Sequence, residues 1–162
     1  DLAWKFRTIR GAIVRASLDA AGDADMLVIG QHGRSSRGIA ADYLARTTAR
    51  RDGVVAVFDG SNSAFRAIEL GQTLARANST ALTVLVLSSE GEEDAAKCAV
   101  WLQQHSIHAE IDRSLSATDD ALIQYVRKFT PGLLLINRDS RYLNESNVCE
   151  IINQFDCPLI LC

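Results

Sequence analysis

The chain has 162 residues, 48% hydrophobic and 23% charged, with a formal net charge of −3. That length admits one domain or one and a half small ones, and the composition is that of an ordinary soluble globular fold. The charge offers no field for nucleic acid or an anionic membrane, and no apolar run approaches the ~20 residues needed to span a bilayer, so neither partner is expected.

No signal-peptide pattern is present, and a chain opening on Asp1 rather than Met is expected to be either a trimmed chain or a stretch inside a longer protein. The four cysteines, Cys98, Cys149, Cys157 and Cys162, form no C-x-x-C pair and have no histidine cluster beside them. Reduced, mostly buried thiols in a cytoplasmic protein are expected, and no metal site.

In chain order, Trp4 to Arg10 reads as a strand with Trp4, Phe6 and Thr8 on one face. Gly11 to Ala21 carries Ile13, Val14 and Leu18 at helical spacing. Met26 to Ile29 is an apolar run of the kind found in buried parallel strands. It runs into Gly30-Gln31-His32-Gly33-Arg34-Ser35-Ser36-Arg37-Gly38. Glycines let the main chain approach a ligand, and the amides and hydroxyls that follow can hold an anion, so a nucleotide phosphate is one reading. A tight strand-to-helix turn without ligand is the other. His32, between the glycines, is either part of that site or a solvent-facing loop side chain. Ile39, Tyr43 and Leu44 begin a helix running to about Arg51.

From residue 54 the reading is clearer. Val54 to Phe58 is a continuous apolar strand ending in the turn cluster Asp59-Gly60-Ser61-Asn62-Ser63. Ala64, Ala67, Ile68, Gly71, Leu74 and Ala75 mark a helix with Ser63 as its cap and Asn78 as its end. Ala81 to Leu87 is a second buried strand. Glu90, Glu92, Glu93 and Asp94 suit the start of a helix whose stripe is Ala95, Cys98, Ala99 and Leu102. His108 to Asp112 is a weaker, alternating strand. Asp119 and Asp120 open a helix with Leu122, Ile123, Val126 and Phe129 inward, broken by Pro131-Gly132. Leu133 to Ile136 is the fourth strand of this part, Val148 to Phe155 a helix, and Pro158 to Leu161 the fifth strand. Strands alternating with helices predict a mainly parallel α/β sheet covered on both faces.

The first fifty residues repeat the back half of that order, an imperfect internal repeat. A complete first unit needs one more strand after Arg51, yet the chain passes directly from Arg50-Arg51-Asp52-Gly53 into Val54. The expected organisation is a C-terminal half-unit over 1–52 and a complete second unit over 53–162.

Taken together, these pieces resemble the universal stress protein family, in its tandem form. Val54 to Ser61 is similar to the family's opening strand and Asp-Gly-Ser turn, Ala64 to Ala77 to the helix after it, and Cys157-Pro158-Leu159-Ile160-Leu161 to its closing strand. Asp25 to Arg34 resembles the fourth strand and the start of the nucleotide loop, G-x2-G-x9-G followed by Ser or Thr. The resemblance implies a five-stranded parallel sheet sandwiched by helices (an adenine nucleotide alpha hydrolase-like fold), often dimeric. Many members bind ATP, with the glycine loop on the phosphates and the aspartate that ends the first strand near the nucleoside. It therefore implies nucleotide contacts at Gly30, His32, Gly33, Arg34, Ser35, Ser36 and Asp59, with ATP or another adenine nucleotide, accompanied by Mg2+, as cofactor. The pattern departs at its end: nine residues past Gly33 stands Asp42, and Tyr43 and Leu44 take the places of Gly and Ser or Thr. In the second unit, Leu135-Ile136-Asn137-Arg138-Asp139-Ser140 stands where a loop should be, without glycine, and reads as degenerate.

Other candidates are weaker. The carboxylates at Glu90 to Asp94 and at Asp119-Asp120 suit helix starts better than acid–base work. His105 and His108 face solvent at a turn, and Ser61 and Ser140 have no base assigned to them. Arg7, Arg10, Arg15, Arg34, Arg37, Arg46, Arg50 and Arg51 make the first part basic against an acidic second part, which favours packing between the two or a phosphate funnel. The expected function is adenine-nucleotide binding or sensing in a stress response, without catalytic turnover. The alternative is a nucleotide-free interaction module whose units pair through their closing strands, within one chain or as a homodimer.

Overall fold

The computed structural model describes residues 13–20, 24–29, 53–113, 117–143, 152, 154–155 and 157–162. Along them run α1 (Ile13–Ala20), β1 (Leu27–Ile29), β2 (Val54–Phe58), α2 (Ala64–Ala77), β3 (Leu82–Val86), α3 (Gly91–Gln104), β4 (Glu110–Arg113), α4 (Asp119–Phe129), β5 (Leu133–Ile136) and β6 (Leu159–Leu161). The expected strand at Trp4–Arg10, the helix beginning at Ile39 and most of the helix over 148–155 lie outside the described residues.

The strands form one sheet in the order β1-β6-β5-β2-β3-β4. β2 to β6 are parallel throughout, as strands separated by helices require. The expected five-stranded parallel sheet is therefore present, with one addition. Met26 to Ile29, expected as a buried parallel strand, instead gives β1 on the free edge of β6, antiparallel, with Leu27 opposite Leu161 and Ile29 opposite Leu159 and with Val28 exposed. An uncovered edge leaves a row of unpaired amides and carbonyls, and a short apolar strand can satisfy them in either direction.

Alternation along the strands divides the core between two faces. Val55 and Val57 of β2 point to one side, with Leu85, Leu134, Leu159, Leu161 and Ile29, against Leu122, Ile123 and Val126 of α4 and Leu18 of α1. Val54, Ala56 and Phe58 point to the other, with Val84, Leu135 and Ile160, against Ala64, Ala67 and Ile68 of α2 and Cys98 and Leu102 of α3. Because both faces are covered, all five residues of β2 are buried. Each such large side chain contributes about 1.5–3 kcal/mol by leaving water. Gly71 lets α2 settle onto the sheet: a Cβ there would come within 3.0 Å of Leu82 Cδ1.

The helix ends show why some boundaries fall where they do. α2 and α3 close in the same way, with Thr80 N donating to Ala75 O and Ile107 N to Leu102 O, both at 2.9 Å. Ser79 and Ser106 take the left-handed turn this needs, at φ 52° and 53°. Thr118 caps α4 by accepting from Ala121 N at 3.2 Å. Ser63, the expected cap of α2, makes no cap hydrogen bond, since its own φ −68° and ψ −24° are already helical. Ser61 does that work instead, its Oγ accepting from Ala64 N at 3.3 Å. Ala99, expected on the inner stripe of α3, is exposed. Phe129, expected inside, is 46% exposed and stacks on Tyr125 at 4.5 Å.

Candidate functional site

In a sheet of this topology, chain connections run in opposite directions from the strand pair β2 and β5. The crevice beyond the carboxyl ends of such a pair is where ligands of open α/β sheets bind. Asp59 stands directly after β2, 7% exposed. Its Oδ1 accepts from Ser61 N at 3.0 Å and from Ser61 Oγ at 2.6 Å. Gly60, at φ 86°, gives the turn its left-handed residue, and Lys97 Nζ donates to the Gly60 carbonyl at 2.9 Å. Burial alone lifts the Asp59 carboxyl's pKa. Donation from the Ser61 hydroxyl and amide, the Ser140 hydroxyl nearby and the Arg141 charge outweigh it and hold the group below its ordinary value.

The segment after β5 comes over the same strand ends. Arg141 Nη2 donates to Asp59 O at 3.0 Å and to Leu87 O at 3.4 Å, bridging the ends of β2 and β3. The hydroxyl of Tyr142, itself 3% exposed, also donates to Leu87 O. The Arg141 guanidinium carbon lies 5.3 Å from the centre of the Tyr142 ring. Ser140 is 4% exposed, and its Oγ meets no hydrogen-bond partner although it faces the Asp59 carboxylate closely enough to favour its charge.

Between Ile136 and Arg141 the loop is held by its own groups. Asn137 Nδ2 donates to Ser63 O at 2.7 Å, and its Oδ1 accepts from Asp139 N at 2.8 Å. Arg138 N donates to Cys162 O at 2.9 Å, Ser140 N to Asn137 O at 3.0 Å and Leu143 N to Ser140 O at 2.9 Å. Beside the loop, over the start of α2, lies an open cleft of about 730 Å³. It carries Arg66 and Arg138 but also Asp25, Glu69 and Asp139, with Arg66 3.9 Å from Asp25. Mixed charge of this kind gives no net attraction for a triphosphate. Among the described residues, the strand ends of this crevice are bridged by Arg141 and Tyr142, and the amides of Arg138, Asp139 and Ser140 are bonded within the chain.

Of the residues expected at a nucleotide site, Gly30, His32, Gly33, Arg34, Ser35 and Ser36 lie outside the described residues. Asp59 is described, and so is Ile29, the last described residue before the glycine loop. Ile29 pairs with Leu159, which is level with Leu134 and, through it, with Val55. Asp59 is four residues further along β2, roughly 13 Å at ordinary strand rise, and β1 runs away from that end. Reasoning from sequence missed Arg141 and Tyr142. Their signal was a cation followed by an aromatic just past a glycine-free strand end. His105 and His108 are exposed as expected, His105 stacked on Trp101 at 4.1 Å. No helix among the described residues is long and apolar enough to cross a membrane.

No family model matches the sequence, and no curated protein matches it either. Solved structures do. A universal stress protein crystallised in complex with cAMP is 15% identical with a TM-score of 0.54, the match spanning 68% of this chain and 96% of that one. A universal stress protein from Archaeoglobus fulgidus DSM 4304 is 17% identical with a TM-score of 0.51, over 71% of this chain and 45% of that one. Identities this low speak to architecture, and together with the strand order they establish that the chain has the fold of the universal stress proteins.

Proposed function

We propose that the protein is a universal-stress-type nucleotide binder in which the glycine loop after β1 takes an adenine nucleotide, while residues 53–162 form a degenerate companion unit. The observation that carries this reading is the bridged crevice: Arg141 spans the carbonyls of Asp59 and Leu87, where an outside ligand would have to enter. That leaves Gly30 to Gly38 as the segment with a backbone lean enough for phosphates, its amides cradling the anion and Arg34 offsetting charge. Gly30, His32, Gly33, Arg34, Ser35 and Ser36 form the proposed site, with Mg2+ accompanying ATP. Asp59, bonded to Ser61, serves the turn instead. The neighbour crystallised with cAMP supports an adenine nucleotide as the class of ligand.

A second reading, a nucleotide-free module whose two parts pair, draws on the antiparallel seat of β1 on β6. Equilibrium dialysis of the chain with labelled ATP and with cAMP separates the two. The expected result is uptake that Gly30→Val together with Gly33→Val abolishes, with the melting temperature kept. No uptake at millimolar nucleotide ends the first reading and leaves the second.

A further inference from the structure

We propose that the crevice over the carboxyl ends of β2 and β3 is a guanidinium site that the chain fills with its own Arg141, and that it accepts a small free guanidino compound once that side chain is withdrawn. The proposal concerns residues 53–162 alone and does not depend on whether the glycine loop takes a nucleotide.

The chemistry of the lining is specific. Two main-chain carbonyls, Asp59 O and Leu87 O, converge on a single Nη2 at 3.0 and 3.4 Å. Carbonyls at the ends of adjacent parallel strands, outside the ladder, are acceptors in need of a donor. Nη2 carries two N–H groups held in the guanidinium plane, which fixes their directions toward the two acceptors while the flat head lies near the Tyr142 ring. The Tyr142 ring lies 5.3 Å from the guanidinium carbon, within the range of a cation over an aromatic face. The Asp59 carboxylate, kept ionised partly by Arg141, supplies the counter-charge. Ser140 Oγ, buried and facing the Asp59 carboxylate, adds a polar atom to the lining. Acceptors, an aromatic face, a carboxylate and a buried hydroxyl are the parts from which a receptor for a planar cation is built.

Tethering explains why the site is closed in the native chain. A side chain three residues from the anchored Arg138 amide reaches the crevice at an effective concentration in the millimolar range or above, which outcompetes dilute external ligand. Withdrawing it leaves Asp59 O without its side-chain donor, Leu87 O with the Tyr142 hydroxyl alone, and the Asp59 carboxylate without its nearby cation, so the empty site gains from a cation that restores those contacts.

The test is chemical rescue in the full chain. Arg141→Ala is melted with and without millimolar ethylguanidinium, and with ethylammonium as a control of the same charge. Ethylguanidinium is expected to raise the variant's melting temperature by ~3 °C while leaving the native chain unmoved, and ethylammonium to do neither. Equal responses to the two cations, or none, overturn the proposal. Should Arg141→Ala fail to fold, the native chain carries the test by NMR of its arginine side chains. Separately resolved, slowly exchanging Nη protons on Arg141 support a bound guanidinium, and freely averaged ones overturn it.

Discussion

Replacing Gly60 by Ala probes how tightly the turn after β2 is held. Gly60 sits at φ 86°, a backbone that costs an L-residue about 1–2 kcal/mol. A methyl there would also run into the Asp94 carboxylate, with Cγ at 3.0 Å, Oδ1 at 3.1 Å and Oδ2 in direct collision. Asp94 cannot swing aside freely, because its Oδ2 accepts from Ser88 Oγ. Losing that bond adds about 1 kcal/mol, so the expected destabilisation is about 2–3 kcal/mol. Urea unfolding followed by circular dichroism reads it as a lower midpoint at unchanged slope. The collision also predicts coupling. In an Asp94→Ala background the carboxylate is gone, and Gly60→Ala should cost only its backbone share, about 1 kcal/mol less than alone. Additive effects, agreeing within about 0.3 kcal/mol, would show that the turn relaxes away from Asp94 and refute the packing argument.

Two further outcomes follow from the geometry. Asp59 is held below its ordinary pKa of 3.8, so the folded state binds its proton less readily than the unfolded one. Its contribution is complete above that value and is lost as pH falls below it. The melting temperature should thus drop with acid below about pH 4, and Asp59→Asn should flatten that part of the profile; an unchanged profile would mean that the carboxylate makes no favourable contact. The register of β1 is tested by a pair of variants. Ile29, 8% exposed, belongs to the core, whereas Val28 is 59% exposed. Ile29→Ala should cost about 2–4 kcal/mol and Val28→Ala under about 0.5 kcal/mol, and the reverse order in urea would mean a strand slipped by one residue.

Most of the parallel sheet is legible in the sequence because its strands are buried on both faces. Val54 to Phe58 and Leu133 to Ile136 are unbroken apolar runs, and only a strand covered on each side needs them. β4 is faint for the opposite reason: it is the sheet's edge, and its residues are at most half-buried. The direction of β1 is not legible, since an apolar run of three residues pairs equally well either way and carries no arrow. The exchange of Ser63 for Ser61 at the cap of α2 turns on backbone angles that two hydroxyls in one turn do not reveal. Arg141 and Tyr142 were hidden because neither residue type marks a strand end. Their role comes from the two carbonyls that the fold leaves beneath them.

That last point bears on the proposed contrast between the glycine loop and the segment after β5. A loop meant for an outside anion must leave several consecutive amides unspent, which is what glycines after a strand allow. The segment after β5 does the contrary. The amides of Arg138, Asp139 and Ser140 are each bonded within the chain, and Asn137 fastens the loop to the start of α2. Such a loop gains rigidity, and on the proposed reading of a degenerate unit this bonding, and not merely the absence of glycine, is what turns phosphate away. Glycine at position 137 would free only the Asp139 amide, by removing the side chain that holds Ser63 O and accepts from Asp139 N, whereas the Arg138 and Ser140 amides would stay bonded to main-chain carbonyls. Such a change trades a closed turn for an unanchored one, and a nucleotide pocket would still find Arg141 across the strand ends.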